Sequence, residues 1–296
     1  MSTTAKPMTV SALDFATRSD MGRARENNED NFQVGAELGL FILSDGMGGL
    51  DAGEVASKLA VKTIYAHCRD AESNPDLPFE GDRIDGASET SNRLASAVRL
   101  ANKLVRAAAA EAATTEYSDR GSGGSSKSAK GMGATVVALQ FFADRVSVAH
   151  VGDSRAYRLR GSDFLQLTDD HSLVAQQVRE GHMTEAEAES SPLKNVLMRA
   201  LGVDEMIEVE VDEEIAMAGD TYLLCSDGLT RELSDGQIAA VLAEMTDAQG
   251  AADQLIDLAN LAGGGDNITA IVVRVGPKSG RALAKIGRWI TRSGKN

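Results

Sequence analysis

The chain has 296 residues, 43% of them hydrophobic, and a formal net charge of −14 at neutral pH. That is enough apolar material for a sizeable core, and the acidic balance excludes general nucleic-acid binding, because a phosphate backbone would be repelled. Two cysteines, Cys68 and Cys225, cannot make a disulfide framework and point to reduced cytoplasm.

Met1 to Val10 read as a flexible leader without a signal-peptide core, and no apolar stretch has transmembrane length. Leu13, Phe15 and Thr17 alternate with polar neighbours, which predicts a half-buried strand. Asn31 to Val34 is a second strand. Leu38 to Leu43 is a continuous apolar run, a buried strand that stops at a turn, Ser44-Asp45-Gly46. Val55, Leu59, Thr63 and Ile64 give Asp51 to Cys68 a helical period. A polar connection carrying Pro75 and Pro78 leads to a long alanine-rich helix over Ala87 to Tyr117.

Ser118 to Gly131 is rich in Ser, Gly and Lys and reads as a disordered surface insertion. Short strands follow at Ala134 to Leu139, Arg145 to Val151, Ala156 to Arg160 and Phe164 to Leu167. Ser172 to Glu180 and Thr184 to Glu189 are short helices, the second opened by a Thr184/Glu187 capping box. Ile207 to Ile215 and Thr221 to Cys225 are strands, Ser234-x-x-Gln237 opens a helix, Ala251 to Leu261 is another, and Ile268 to Val275 is the last strand. Two sets of strands with helices before, within and after them imply stacked sheets covered by helices, an α+β fold.

Four acidic motifs stand beside these strands: Arg25-Glu26-Asn27-Asn28-Glu29-Asp30, Asp45-Gly46-Met47-Gly48-Gly49, Ser226-Asp227-Gly228 and Gly265-Asp266-Asn267. Carboxylates at strand ends can converge on one point, where they repel unless a cation offsets them. Hard oxygen ligands suit Mg2+ or Mn2+ and not zinc or copper. Only four histidines exist, and no two have a metal-ligand spacing. Two such metals can acidify a shared water and aim it at phosphorus, and Arg25 can hold phosphate oxygens as a bidentate fork. A single Asp-Gly pair is by itself an ordinary turn; the set of four carries the reading.

On these residues the chain resembles the metal-dependent serine/threonine protein phosphatases of type 2C, in their compact bacterial form. Gly131-Met132-Gly133-Ala134-Thr135 and Val151-Gly152-Asp153-Ser154-Arg155 join the four motifs in the family's order. The match runs from about Phe15 to Val275, with the domain at 11–276. The resemblance implies a four-layer α-β-β-α sandwich with the metal centre at the sheet edges. It implies hydrolysis of phosphoserine and phosphothreonine monoesters by metal-activated water, with no covalent phosphoenzyme. Asp45 would bridge two metals and the Gly46 carbonyl would bind one; Asp227 and Asp266 would complete the pair, with Asp30 direct or through water. Asp153 and Asp227 would hold a third ion, residues 168–203 would form a flap, and Asn195 within it falls where some relatives offer a backbone oxygen. Glu29 and Asn267 are weaker candidates inside the motifs. Animal members carry histidine where this chain has Met47, so the general acid is left open, with a metal-bound water as the candidate. Phosphorylated proteins would be the substrates and a cognate serine/threonine kinase the counterpart, for a monomeric enzyme.

Other readings compete. Cys225-x-x-Gly228-x-x-Arg231 matches the loop of cysteine-dependent phosphatases, although Asp227 would repel phosphate inside it. An inactive phosphoprotein-binding scaffold should have lost acidic positions that this chain keeps. His171 reads as a solvent-facing helix-entry residue, the alternative being a flap residue that touches substrate. From Lys278 the chain carries six basic residues, no acidic one, and Trp289, its only tryptophan. The favoured reading is a tail that folds back on the acidic domain or frays; the other is docking on an anionic membrane surface or an acidic partner.

Overall fold

The computed structural model describes residues 13–48, 52–119 and 131–277. The leader, Gly49, most of the predicted insertion and the basic tail lie outside the described residues. The order is β1 (Leu13–Asp20), β2 (Asp30–Gly35), β3 (Leu40–Met47), α1 (Ala52–Ser73), α2 (Glu89–Asp119), β4 (Gly133–Ala134), β5 (Val136–Phe142), β6 (Arg145–Val151), β7 (Arg155–Arg160) and β8 (Asp163–Gln166). Then come α3 (Leu173–Arg179), α4 (Glu185–Ser190), β9 (Glu210–Ile215), β10 (Thr221–Cys225), α5 (Asp227–Thr230), α6 (Asp235–Glu244), α7 (Ala248–Ala262) and β11 (Ile268–Val275).

The strands form two antiparallel sheets, one in the order β1-β11-β10-β7-β8 and one in the order β2-β3-β5-β6-β9, with β4 paired to β3. Side chains alternate across each strand. Phe41, Leu43, Val137, Leu139, Tyr222, Leu224, Ile271 and Val273 therefore fill the space between the sheets. Ile42, Val136 and Ala138 turn outward under α1 and α2, while Leu223 and Val272 turn outward under α6 and α7. Burial on both faces explains why the central strands read as continuous apolar runs. Phe15, Phe41, Phe141 and Tyr222 link the layers edge to face, with ring centroids 5.3, 5.9 and 5.3 Å apart. The result is the α-β-β-α sandwich.

Two predicted strands differ at their ends. β3 does not stop at Ser44 but continues through Asp45 to Met47. Apolarity ends at Leu43, yet pairing persists: Thr135 N–H donates to the Asp45 carbonyl at 2.8 Å, and β4 pairs with Gly46 and Met47. Leu38 lies in a 3-10 turn before β3. β9 begins at Glu210 and not at Ile207, because β6 ends at Val151 and offers no strand to the preceding residues. The capping boxes of α4 and α6 stand as the sequence predicts. Among the described residues, no helix is long and apolar enough to cross a membrane.

Candidate metal centre

The edges of both sheets meet at a group of carboxylates. Asp30 opens β2 and pairs across the strands with Asp45 in β3. Asp227 is the first residue of α5, separated from β10 by the N-cap Ser226, and Asp266 precedes β11. Asp153 sits in the turn between β6 and β7.

Asp30 is buried, and the opposite sheet holds one of its oxygens. Ser226 and Thr269 hydroxyls each donate to Oδ2 at 2.7 Å. Its Oδ1 and the Oδ1 of Asp227 are buried with no hydrogen-bond partner. Burial, with the negative charges of Asp227 and Asp266 behind it, pushes the Asp30 carboxyl up to about 7 against the two hydroxyl bonds. Burial and then the charges of Asp30, Asp227, Asp153 and Asp266 raise Asp45 well above the carboxylate range. Asp227 is raised by burial, with Arg231 opposing. Asp153 rises to about 7, first from burial and then from Asp227 and Asp170.

Two arginines flank this charge. Arg25 grips Asp266 with Nε on Oδ1 at 2.8 Å and Nη2 on Oδ2 at 2.9 Å. From the other side Arg231 reaches Asp266 Oδ2 at 2.8 Å and also pairs with Asp227. Arg25 opens onto a cleft of about 230 Å³ shared with Glu26, Asn27, Glu29, Gly48 and Asn267. Arg231 opens onto a second, of about 280 Å³, where Lys194 and Asn195 form part of the wall.

The surrounding loops are pinned by side chains. Asn267 accepts from Glu29 N–H at 2.8 Å and donates to the carbonyls of Met21 and Asn27, which holds the loop bearing Arg25. The amide of Asn267 is thus engaged in positioning. The Glu29 carboxylate lies against Gly53 in the first turn of α1, where a Cβ would come within 2.7 Å of it. Gly46 is equally confined, since a Cβ there would meet the Gly53 carbonyl at 2.1 Å. Met47 packs towards Gly133.

The structure thus brings Asp30, Asp45, Gly46, Asp227, Asp266 and Arg25 together, with Asp153 close enough to Asp45 to raise its carboxyl. Asn195 is placed on the wall of the second cleft. Cys225 is fully buried at the end of β10 and its thiol is pushed up to about 12, chiefly by burial, so it is no nucleophile. His171 is not solvent-facing: it is 3% exposed and stacks on His150 with ring centroids 4.6 Å apart. The roles of Ser226, Thr269 and Arg231 escape sequence reasoning, although the Asp227/Arg231 spacing of four is a helical ion-pair signal.

The family model described as "Protein phosphatase 2C" matches residues 22–260. The chain is 39% identical over 263 residues to a serine/threonine protein phosphatase, PstP, of Mycobacterium tuberculosis, covering 89% of this chain but 45% of that one. It therefore spans about half the length of that relative. It is 36% identical over 259 residues to a serine/threonine phosphatase, stp, of Listeria innocua, covering 86% of this chain and 93% of the relative. A crystal structure of the PstP catalytic domain in complex with two manganese ions superposes with a TM-score of 0.69 at 36% identity, covering 90% of this chain and 99% of that one.

Proposed function

Because the chain belongs to the protein phosphatase 2C family, we propose that it is a metal-dependent phosphatase of phosphoserine and phosphothreonine in proteins. The observation that carries this is the convergence of Asp30, Asp45, Asp227 and Asp266, two of them with a buried, unpartnered oxygen, beside the Arg25 fork. Buried carboxylate oxygens without a donor need an explanation, and an all-oxygen set fits Mn2+ or Mg2+. The manganese ions of the PstP structure support the same choice.

When bound, two divalent cations supply the charge that ionises the carboxylates and acidify a water for attack on phosphorus. Asp45 lies among the charges of Asp30, Asp227 and Asp266, and with the neighbouring Gly46 carbonyl it would help to hold both cations. Asp227 and Asp266 would hold the second cation, and Asp153 with Asp227 would hold a third. Arg25 already holds one oxyanion pair in bidentate fashion; a phosphoryl group offers it the same pair of oxygens. Met47 has no proton to give, so protonation of the leaving oxygen falls to water in the cleft.

We assign residues 11–276 to one catalytic domain and 168–203 to a flap over the second cleft. Phosphoproteins and a cognate kinase are the partners of this reading, a monomer its form, and the cytoplasm its setting. Release of phosphate from a phosphothreonine peptide in Mn2+, abolished by EDTA and restored by added Mn2+, tests the activity. Turnover that survives EDTA would overturn it.

A further inference from the structure

His150, His171 and Glu210 offer ligand atoms within 4.8 Å of one another, the spacing of a metal site. The hydrogen bonds point elsewhere. Gly152 N–H donates to His171 Nδ1 at 3.1 Å, so in the neutral ring the proton is on Nε2. That nitrogen meets Glu210 Oε1 at 2.9 Å. A metal ligand would need it bare. Arg199 is already bonded to Glu210 Oε1 at 2.9 Å, and His150 Nε2 donates to the Asp169 carbonyl at 2.8 Å. Burial and the adjacent His150 hold His171 below the ordinary imidazole range, which keeps it neutral.

Every polar group of His171 is in use. Its N–H donates to the Gly152 carbonyl at 2.9 Å, and its own carbonyl accepts from Met198 N–H, on the returning arm of the 168–203 segment, at 2.7 Å. It therefore holds both backbone groups of Gly152 and both arms of the flap. Gly152 has φ +109, a conformation that favours glycine, and a Cβ there would strike Thr135 at 2.7 Å. Asp153 follows directly. On its far side Ser154 shares a hydrogen bond with Thr135 at 2.7 Å, and Thr135 accepts from Asp45 N–H at 3.0 Å. Arg155 forks onto Asp170 at 2.9 and 2.8 Å. The Asp153 turn is thus fixed to the core site through Ser154 and to the flap through His171.

We propose that His171 is a positioning residue that ties the flap to Asp153 and so sets the affinity of a third cation there. This rests on Asp153 being a cation ligand. Losing such an outer partner lowers metal affinity about ten- to a hundredfold. By linkage, binding of the third ion steadies the flap through the same residue.

Calorimetric Mn2+ titration of the full chain tests this, with wild type, H171A, H171N and D153N. H171A should weaken the last, weak phase about ten- to a hundredfold and leave the tight phase in place. In H171N, Oδ1 stands near the Nδ1 position and can accept from Gly152, so most of the weak phase should return. H171Q, with its oxygen at the Nε2 position, should not restore it; the N/Q comparison decides the matter if H171A does not fold. Hydrogen exchange across 172–198 should slow on filling the weak phase in wild type and not in H171Q. A weak phase lost in D153N but unchanged in H171A and H171Q would overturn the proposal alone. A titration unchanged in D153N would overturn the ligand reading beneath it. Stoichiometric zinc bound by wild type and lost in H150A would overturn the hydrogen-bond hub.

Discussion

Asp30 and Asp45 face each other as a cross-strand pair between β2 and β3, Asp30 buried and Asp45 half-buried. Like charges directly opposite one another destabilise a sheet. The fold keeps the pair because Ser226 and Thr269 from the other sheet hold one oxygen of Asp30 and because cations are expected to take up the remaining charge.

This strain makes the metal-free protein pH-sensitive. Asp30 and Asp153 are pushed up to about 7, above the unfolded value. A carboxyl raised in the folded state holds its proton more tightly there than in the unfolded chain. Below about pH 4 both states are protonated and there is no penalty; as pH rises through about 7 the folded state loses stability. Melting in EDTA should therefore occur at lower temperature near about pH 8 than near about pH 5, and Mn2+ should flatten the difference. A metal-free melting temperature that rises across this window would contradict the assignment.

Ser226 and Thr269 are expected to matter through Asp30. The double change S226A/T269A removes both donors to a buried carboxylate, each worth about 1.5–3 kcal/mol as a bond to a charged group. Mn2+ affinity should fall about ten- to a hundredfold, and the pH at which Mn2+ binds should move upward, because Asp30 becomes harder to ionise. Calorimetry at several pH values reads both effects.

Arg25 should serve substrate and spare metal. R25A is expected to raise KM about ten- to a hundredfold, from the loss of a charged bidentate contact. R25K should recover little, since an ammonium lacks the fork. Steady-state kinetics paired with Mn2+ titration separates this from a metal defect.

Cys225 should be dispensable for chemistry. Its thiol is buried and protonated at neutral pH, so C225A should keep its turnover and iodoacetamide should leave the native enzyme active. Loss of turnover in folded C225A would revive the cysteine mechanism.

Much of the sandwich was legible because β3, β5, β10 and β11 are buried on both faces, so their apolar runs stand out. The capping residues Ser234 and Thr184 marked helix starts, as local chemistry does. The continuation of β3 through Asp45 was not legible, because it depends on Thr135 and β4, some ninety residues away. The metal centre was readable as a set of aspartates, but the partners that hold them are long-range: Ser226 is 196 residues from Asp30. His171 was misread because Asp169-Asp170-His171-Ser172 looks like a polar helix entry; its burial comes from His150 and Gly152, which no periodicity reveals.

The central claim is that these aspartates form a cation pair site with Asp45 at its middle. Calorimetric Mn2+ titration of wild type and D45N, at a pH above about 7 where the carboxylates can ionise, tests it most directly. The account expects two tightly held ions in wild type and the loss of that phase in D45N, with peptide hydrolysis falling by more than the about hundredfold that outer-shell losses cost. Two ions bound by D45N with wild-type affinity would contradict it.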